Sequence, residues 1–333
     1  MILLDSLRPP SLLDPSAPGY KDWLHLNVFD HETGNIGVIN VSLHGSPRDP
    51  RSRAIGLALV NVAKTGWWGN IEIGGIADAG IGLESISLEQ VAVAVQARQG
   101  IVMASVRNDR SGLRANLKAT AAVPPISVEE QLPLGNGWIS WFAVPRLTVD
   151  GEWTIGNDRM ILKEASAYHD HNWGRWHWGE NLGWEWGCFL TPGPSGVTFV
   201  LSRTSDRAHQ RFGKTLLTVQ LEQKKRTFAG SAVKLDYEGA LSINRRIPGA
   251  LAALHQDKAH AHLPSTLKFT ADDGVDRVEV VFSARSAAQL IVADPIVTGY
   301  GFIHEIVGEF SCNGSIAETE LKGSGLGVLE LVY

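Results

Sequence analysis

The amino-acid sequence predicts an all-β protein built from two β-domains. Its apolar segments are short, rich in β-branched residues and separated by turn-forming residues, and the chain contains 35 glycines. Long amphipathic helices are scarce. A chain of 333 residues is too long for one small hydrophobic core, so its length predicts roughly two domains.

The first half contains about eight candidate strands, enough for one closed sheet. The first two, Trp23 to Asp30 and Ile36 to Leu43, form a predicted hairpin because Gly34 between them can take a positive φ angle. The adjacent Trp67 and Trp68 are assigned to a turn. The other strands are expected at residues 56–63, 88–97, 101–108, 113–122, 138–144, 145–149, 152–155 and 159–167, with a break from Pro124 to Gly137 and a turn at Asp150 and Gly151.

The second half predicts about eight strands again. They are expected at residues 184–190, 197–203, 215–221, 228–235, 266–270, 275–284, 303–310 and 326–333. Each set could close a barrel or sandwich of lipocalin size. We therefore expect one domain over residues 1–167 and a second over residues 168–333, with residues 168–189 at their junction. No internal sequence repeat is visible, so the likeness of the two domains is inferred from strand count.

Composition excludes several classes of function. A net charge of -5 and a pI near 6.1 provide no basic surface for nucleic acid or for an anionic membrane. The start, Met1 to Pro18, has no apolar stretch long enough for a signal peptide or a membrane-spanning helix. We expect no stable membrane insertion and a cytoplasmic location. Cys188 and Cys312 lack CxxC partners, which argues against a disulfide framework or a cysteine zinc site.

Residues 168–189 carry the most distinctive composition of the chain. Five of the eleven tryptophans and three of the eleven histidines of the protein fall in this stretch. Tryptophan is a large apolar body with one donor, and His, Asp, Asn and Tyr hold or move protons. The mixture is typical of an apolar cavity with a small polar cluster, although a buried polar network without a ligand would have a similar composition.

An extended conformation divides these residues between two faces. Tyr168, Asp170 and Asn172 would share one face of the strand, and His169 and His171 the other. Burial of a carboxyl group among tryptophans disfavours its charged form, so we expect Asp170 to act as a general acid. The walls of the cavity are expected from Trp173, Trp176, Trp184 and Trp186, whose faces can stabilise a developing cation.

Metal binding is the weaker alternative. His169 and His171 have the His-x-His spacing of some metal sites, with His177, Glu180 or Glu185 as further possible ligands, but these carboxylates match no standard metal motif. Three more histidines, His255, His260 and His262, fit a solvated loop better than a metal site. We expect no metal and no cofactor.

The central stretch resembles the carotenoid 1,2-hydratase (hydroxyneurosporene synthase) and AttH-like superfamily. The similarity is carried by Tyr168 to Gly174, by Val144 to Leu147 before it, by Trp184 and Trp186 after it, and by the glycine-rich ending from Gly323 to Leu331. The resemblance implies two tandem lipocalin-like β-domains, of barrel or sandwich form, with an apolar cavity. It also implies isoprenoid or polyketide substrates, because the superfamily includes hydratases, tocopherol cyclases and fungal Diels-Alderases.

The resemblance assigns a functional role to part of the stretch. The catalytic candidates are Asp170, Tyr168, His169 and His171, and the substrate-binding candidates are Asn172, Trp173, Trp176, His177, Trp178, Trp184 and Trp186. The leading hypothesis is an enzyme that protonates an apolar isoprenoid-type alkene and then hydrates or cyclises it. The alternatives are a pericyclase of the Diels-Alderase type and a non-enzymatic carrier of hydrophobic small molecules. In each case the partner is a hydrophobic small molecule.

Overall fold

Two curled β-sheets contain the strands of the computed structural model, which describes residues 5–9, 19–247 and 263–333. The chain divides into two compact units. The first reaches to Glu180 and includes Asp294–Gly299, and the second consists of Asn181–Ala293 and Tyr300–Tyr333. Each unit has one half-barrel sheet, so the predicted all-β fold with two lipocalin-like domains is confirmed. The expected domain boundary between residues 167 and 168 lies within a continuous strand.

In the described part of the first unit, the sheet has 12 strands. Neighbours follow the order β4-β3-β2-β1-β12-β11-β9-β8-β7-β6-β5, and β10 pairs with β11. Short 3-10 turns lie at Ile76–Asp78 and Ala97–Gln99. The strands are β1 Tyr20–Asp30, β2 Asn35–His44, β3 Arg53–Val62, β4 Gly66–Gly75, β5 Gly80–Ile81, β6 Ser85–Ser87, β7 Val91–Gln96, β8 Ile101–Asn108, β9 Leu113–Ala121, β10 Ile126–Leu134, β11 Gly137–Ile155 and β12 Asp158–Arg175.

The sheet of the second unit has 10 strands among the described residues. Their order is β16-β15-β14-β13-β22-β21-β20-β19-β17, and β18 pairs in parallel with β20. A 3-10 turn lies at Gly230–Ala232. The strands are β13 Gly183–Leu190, β14 Val197–Ser205, β15 Phe212–Leu221, β16 Lys224–Ala229, β17 Val233–Glu238, β18 Arg245–Ile247, β19 Thr266–Asp272, β20 Arg277–Ala293, β21 Tyr300–Ile316 and β22 Thr319–Val332.

The two units share one topological plan. In each, four strands run up and down from the first strand to one edge, and the last long strand returns to pair with the first. These closing pairs are β1 with β12 and β13 with β22. Because these closing pairs span almost a whole unit, they join residues that are distant in sequence.

Two expected interruptions of the first sheet are strands. Trp67 and Trp68 lie at the start of β4 and pair with β3. The stretch expected to break the sheet contains β10, which pairs with β11 through two register shifts. Its Pro133 is compatible with a strand here because β10 pairs on one side only, and proline is tolerated on edge strands.

The predicted turn at Asp150 and Gly151 is instead a bulge inside β11. The register shifts between Val149 and Gly151, and Gly151 has a φ of 147°. A Cβ at this glycine would lie 2.1 Å from the carbonyl oxygen of Asn116, so the close approach of β9 requires glycine. The chain reverses five residues after Gly151, where Gly156 has a φ of 61°.

Each unit encloses its own apolar core. The first core joins residues of β1, β2, β3, β8, β9, β11 and β12, including the fully buried Trp153. The second is rich in phenylalanine, and the ring of Phe189 lies 5.1 Å from that of Phe269 and 5.2 Å from that of Phe282. Side chains that alternate away from these cores lie on the opposite faces of the sheets.

Candidate functional site

Residues 168–172 lie on β12, between β1 and β11. Asp170 is opposite His25 of β1 and Ala143 of β11. Its side chain lies on the same face as those of Tyr168 and Asn172, as strand alternation predicted, because both of these side chains bond to it. His169 and His171 extend from the other face.

Asp170 is the centre of a buried polar cluster. The Tyr168 hydroxyl donates to its Oδ2 over 2.9 Å, and the Asn172 amide donates to its Oδ1 over 2.5 Å. Tyr168 is fully buried, and Asp170 is 4% exposed. We call Tyr168, Asp170, Asn172 and the facing His25 the Asp170 cluster. Its fixed donors and its carboxyl group can hold, accept or transfer a proton.

His25 contributes an uncharged imidazole to the Asp170 cluster. Burial lowers the pKa of His25 to about 4, so the ring is neutral near pH 7. Its Nδ1 lies 3.3 Å from the amide nitrogen of Asn40 on β2, which donates to it. His25 therefore brings no positive charge to the Asp170 cluster near pH 7.

His169 and His171 each meet a carboxylate on the core side of β12. His169 Nε2 lies 3.1 Å from Asp5 Oδ1, and His171 Nε2 lies 2.7 Å from Asp22 Oδ1. Burial opposes protonation of His169, but the charge and hydrogen bond of Asp5, the charge of Asp170 and the hydrogen bond to the His25 carbonyl together outweigh it and raise the pKa of this histidine. Both rings are fully buried, so these pairs attach residues 5–9 and β1 to the core side of β12.

Trp173 belongs to this core side as well. Its ring centroid is 4.9 Å from that of His171, and the Arg8 guanidinium lies 3.9 Å above it. Trp173 also belongs to the apolar core of the first unit. It therefore lies on the opposite face of β12 from Asp170.

Tryptophans border the Asp170 cluster on its own face. Trp23 of β1 lies opposite Asn172, and its ring packs edge-to-face on Trp176 at 5.5 Å. Trp176 in turn packs on Trp178 at 6.2 Å. Together Trp23, Trp176 and Trp178 form an aromatic wall beside the cluster. Trp23 was not predicted, because the pairing that places it there joins distant parts of the sequence.

The segment after β12 is held by a buried ion pair. Lys21 Nζ lies 3.6 Å from Asp294 Oδ2 and donates to the Trp176 carbonyl over 2.8 Å. His177 Nδ1 lies 3.1 Å from the same carboxylate, which also accepts the backbone N–H of Trp178. These contacts position His177 and fix the backbone of the aromatic wall.

Trp184 and Trp186 belong to a separate cluster in the second unit. The Trp184 indole donates to Glu330 Oε1 over 2.5 Å, and Trp186 lies opposite Glu330 in the β13–β22 register. Glu305 of β21 faces Glu330 from the other side. Burial raises the pKa of the Glu330 carboxyl, although hydrogen bonds with Trp184 and Glu305 oppose this shift. The structure thus gives Trp184 a carboxyl partner that the sequence did not indicate.

Metal-binding residues are not assembled in the described part of the chain. Over residues 5–9, 19–247 and 263–333, no three His, Cys, Asp or Glu side chains lie close enough together to hold a metal ion. The predicted loop histidines His255, His260 and His262 lie outside these ranges. Among the described residues, no helix is both long and apolar enough to cross a membrane.

Comparison with known proteins identifies the fold through solved structures. A candidate AttH protein of Nitrosomonas europaea superposes with a TM-score of 0.68 at 15% identity, covering 98% of this chain and 99% of the other. Kievitone hydratase of Nectria haematococca superposes with a TM-score of 0.64 at 12% identity, covering 99% of this chain and 94% of the hydratase. CghA in complex with Sch210972 superposes with a TM-score of 0.61 at 12% identity, covering 95% of this chain and 88% of CghA. The chain has an AttH-like fold.

The resemblance inferred from the central stretch is confirmed by this AttH-like fold. Neither a protein-family model nor a curated protein matches the chain. At 12–15% identity the solved structures establish the fold alone, and one of them is a hydratase by name. Within the AttH-like fold of this chain, the predicted residues divide among the Asp170 cluster, the core side of β12, the aromatic wall and the second unit.

Proposed function

We propose that the chain is a cofactor-independent enzyme that protonates an apolar isoprenoid-type alkene, with Asp170 as the proton donor. The observation that supports this proposal is the buried carboxyl group of Asp170, held by Tyr168 and Asn172 next to an aromatic wall. A carboxyl group fixed in an apolar setting is suited to general-acid catalysis.

The reaction would begin with protonation of the alkene. The carboxylic acid form of Asp170 gives its proton to the less substituted carbon, which leaves a tertiary cation at the other carbon and a carboxylate on Asp170. Water then adds to the cation and returns one proton to Asp170, so the net change is addition of water. In a cyclisation, a second double bond attacks the cation instead, and loss of a proton restores Asp170.

Tyr168 and Asn172 would control the protonation state of Asp170. Their donors stabilise the carboxylate that remains after proton transfer, and the Tyr168 hydroxyl can also accept when the carboxyl is protonated, because a hydroxyl both donates and accepts. The tryptophan faces of Trp23 and Trp176 would stabilise the cation by about 0.5–2 kcal/mol per contact. Trp178, Trp184, Trp186 and His177 remain proposed substrate-binding residues.

His169, His171 and Trp173 would support the site from the core side. Because their rings face Asp5, Asp22 and Arg8, we assign them to positioning β12 rather than to contact with the substrate. Replacement of any of them is then expected to change stability more than the chemistry of a correctly folded site.

A pericyclase is the second candidate, and a specific observation supports it. Both oxygens of Asp170 accept hydrogen bonds, so the cluster also fits a fixed network that polarises a bound polyene without giving up a proton. The chain also shares its fold with CghA, whose structure was solved with Sch210972.

Incubation with neurosporene in D2O, followed by mass spectrometry, tests the proposal. A product heavier by D2O, with one deuterium on carbon, would support hydration, and an isomer with carbon-bound deuterium would support proton-initiated cyclisation. An isomer without deuterium would favour the pericyclase. Recovery of unchanged neurosporene bound to the protein would favour a carrier. If neurosporene does not bind, native mass spectrometry of protein from its own host identifies the apolar ligand to use in the same assay.

A further inference from the structure

The second unit contains a cavity of about 300 Å³. No residue of the Asp170 cluster lines it. It lies where the interior of the sheet changes from apolar to polar. Leu201 and Leu329, on either side of Gly187, are fully buried in the core, whereas two positions earlier on β13 Glu185 lies between Arg203 and Leu331. Strand alternation places Glu185 on the opposite face from Trp184 and Trp186.

Glu185 organises the polar end of the cavity. Its Oε2 accepts from Arg203 Nε and Nη2 over 2.9 and 2.6 Å and from the Tyr237 hydroxyl over 2.5 Å, and its Oε1 lies 3.0 Å from His209 Nδ1. Burial alone would raise the pKa of Glu185, but His209, Arg203 and Tyr237 outweigh it and hold this pKa below its usual value. Glu185 is thus a carboxylate whose accepting positions are filled.

The same cluster leaves donors without a partner. Within residues 19–247 and 263–333, the Nη1 of Arg203 and the Tyr333 hydroxyl make no hydrogen bond, although both residues line the cavity. Both nitrogens of His209 face oxygen acceptors, Glu185 Oε1 and the Val332 carbonyl. Glu185 therefore does not use all the donors around it, and these two remain available to a ligand that carries acceptors.

The remaining walls are apolar and aromatic. Phe212 lies under the Arg203 guanidinium at 3.7 Å, and the ring of Tyr333 lies 4.2 Å from that of His209. Leu235, Pro264 and Leu331 are the aliphatic residues of these walls. A dry cavity of about 150 Å³ holds benzene, so the space in the second unit suits a molecule of roughly two rings.

We propose that this cavity binds a small, flat, apolar carboxylate, with Arg203 as its charge partner and Tyr333 as an additional hydrogen-bond donor. The aromatic walls recognise the planar body, and Nη1 of Arg203 donates to the carboxylate. Glu185 does not touch the ligand; it fixes the guanidinium and neutralises part of its charge. The proposal is independent of the reaction proposed for the Asp170 cluster.

Calorimetric titration of the full-length protein with 2-naphthoate tests this site. We expect one binding site per chain, and about 10- to 100-fold weaker binding of the neutral isostere 2-naphthamide, because a hydrogen bond to a charged group is lost. Arg203→Met is expected to lower the affinity for the acid to that for the amide. Arg226→Met is the matched control, since Arg226 pairs with Asp276 at 3.0 Å and does not line the cavity.

Equal affinity for acid and amide would overturn the proposal, as would an Arg203→Met protein that binds 2-naphthoate like the wild type. Because Arg203 neutralises buried Glu185, the variant Glu185→Gln with Arg203→Met removes both charges and serves if the single variant does not fold. Leu235→Trp fills the cavity without changing a charge, and we expect it to abolish binding. Undiminished binding by this variant, or no binding of 2-naphthoate to the wild type, would also refute the site.

Discussion

His44 makes the first unit sensitive to acid. Its Nδ1 accepts a hydrogen bond from the Trp178 indole at 3.4 Å, and its Nε2 lies 3.0 Å from the Ser42 hydroxyl. A protonated ring has no acceptor to offer Trp178. Burial, with a smaller effect from the charge of Lys21, lowers the pKa of His44 to about 3. Replacing His44 with Gln provides an uncharged side chain of similar length that can still accept a hydrogen bond, and it removes the titrating imidazole.

The magnitude follows from the two pKa values. The unfolded chain protonates this histidine near pH 6.5 and the folded chain near pH 3, so between these values the unfolded state binds more protons. The stability linked to His44 is present above pH 6.5 and is lost as the pH falls towards 3. At about 1.4 kcal/mol per pH unit, the wild type should lose about 2 kcal/mol between pH 7 and pH 5 through this group.

Urea unfolding at pH 7, 6 and 5, followed by tryptophan fluorescence, measures the effect. The His44→Gln protein should have a smaller loss of unfolding free energy from pH 7 to pH 5 than the wild type, by about 2 kcal/mol. Its stability at pH 7 can be lower without affecting this comparison. Parallel pH dependences in the two proteins would refute the assignment of His44 as a buried neutral histidine.

Three further predictions concern the first unit and its chemistry. Gly37→Ala should cost about 1–3 kcal/mol of unfolding free energy by overpacking, because the added Cβ would lie 2.6 Å from Trp153 Cζ3; an unchanged urea midpoint would contradict it. Burial outweighs the attraction of Asp294 and lowers the pKa of Lys21 to about 8. The unfolded state therefore binds more protons than the folded state from pH 8 to 9.5. The unfolding free energy of the wild type should rise by about 1.5 kcal/mol across that range. The Lys21→Met protein should lack this rise. Finally, chelator-treated protein should retain its full activity, and restoration of lost activity by added zinc or iron would contradict this expectation.

Local patterns predicted the strands better than their connections. The alternation and turns around Gly34 placed the first hairpin, because a two-residue period and a positive-φ glycine are local properties. Gly151 was misassigned because a glycine with positive φ serves equally in a turn and in a bulge, and only the approach of Asn116 decides between them. The pairing of β10 through irregular register was equally invisible in the sequence.

The sequence predicted how the residues of β12 are divided between its two faces, but not which residues of neighbouring strands join them. Alternation on one strand separated Asp170 from His169 correctly, since adjacent side chains must point to opposite faces. His25 and Trp23 were missed because their strand is far away in sequence: His25 and His169 are separated by 144 in residue number. Trp173 illustrates the same limit: strand alternation already places it with His171, but only the contact with Arg8 reveals that this face is filled.

Transfer of solvent deuterium by the Asp170 cluster tests the central proposal most directly. With its substrate in D2O, the wild-type protein should form a product with one deuterium on carbon, and Asp170→Asn should lower the rate about a hundredfold to ten-thousandfold. Tyr168→Phe removes one hydrogen bond to the Asp170 carboxyl but keeps the acid, so it should lower the rate less than Asp170→Asn does. Product free of carbon-bound deuterium, or an Asp170→Asn protein with turnover within about threefold of the wild type, would contradict the assignment of Asp170 as the proton donor.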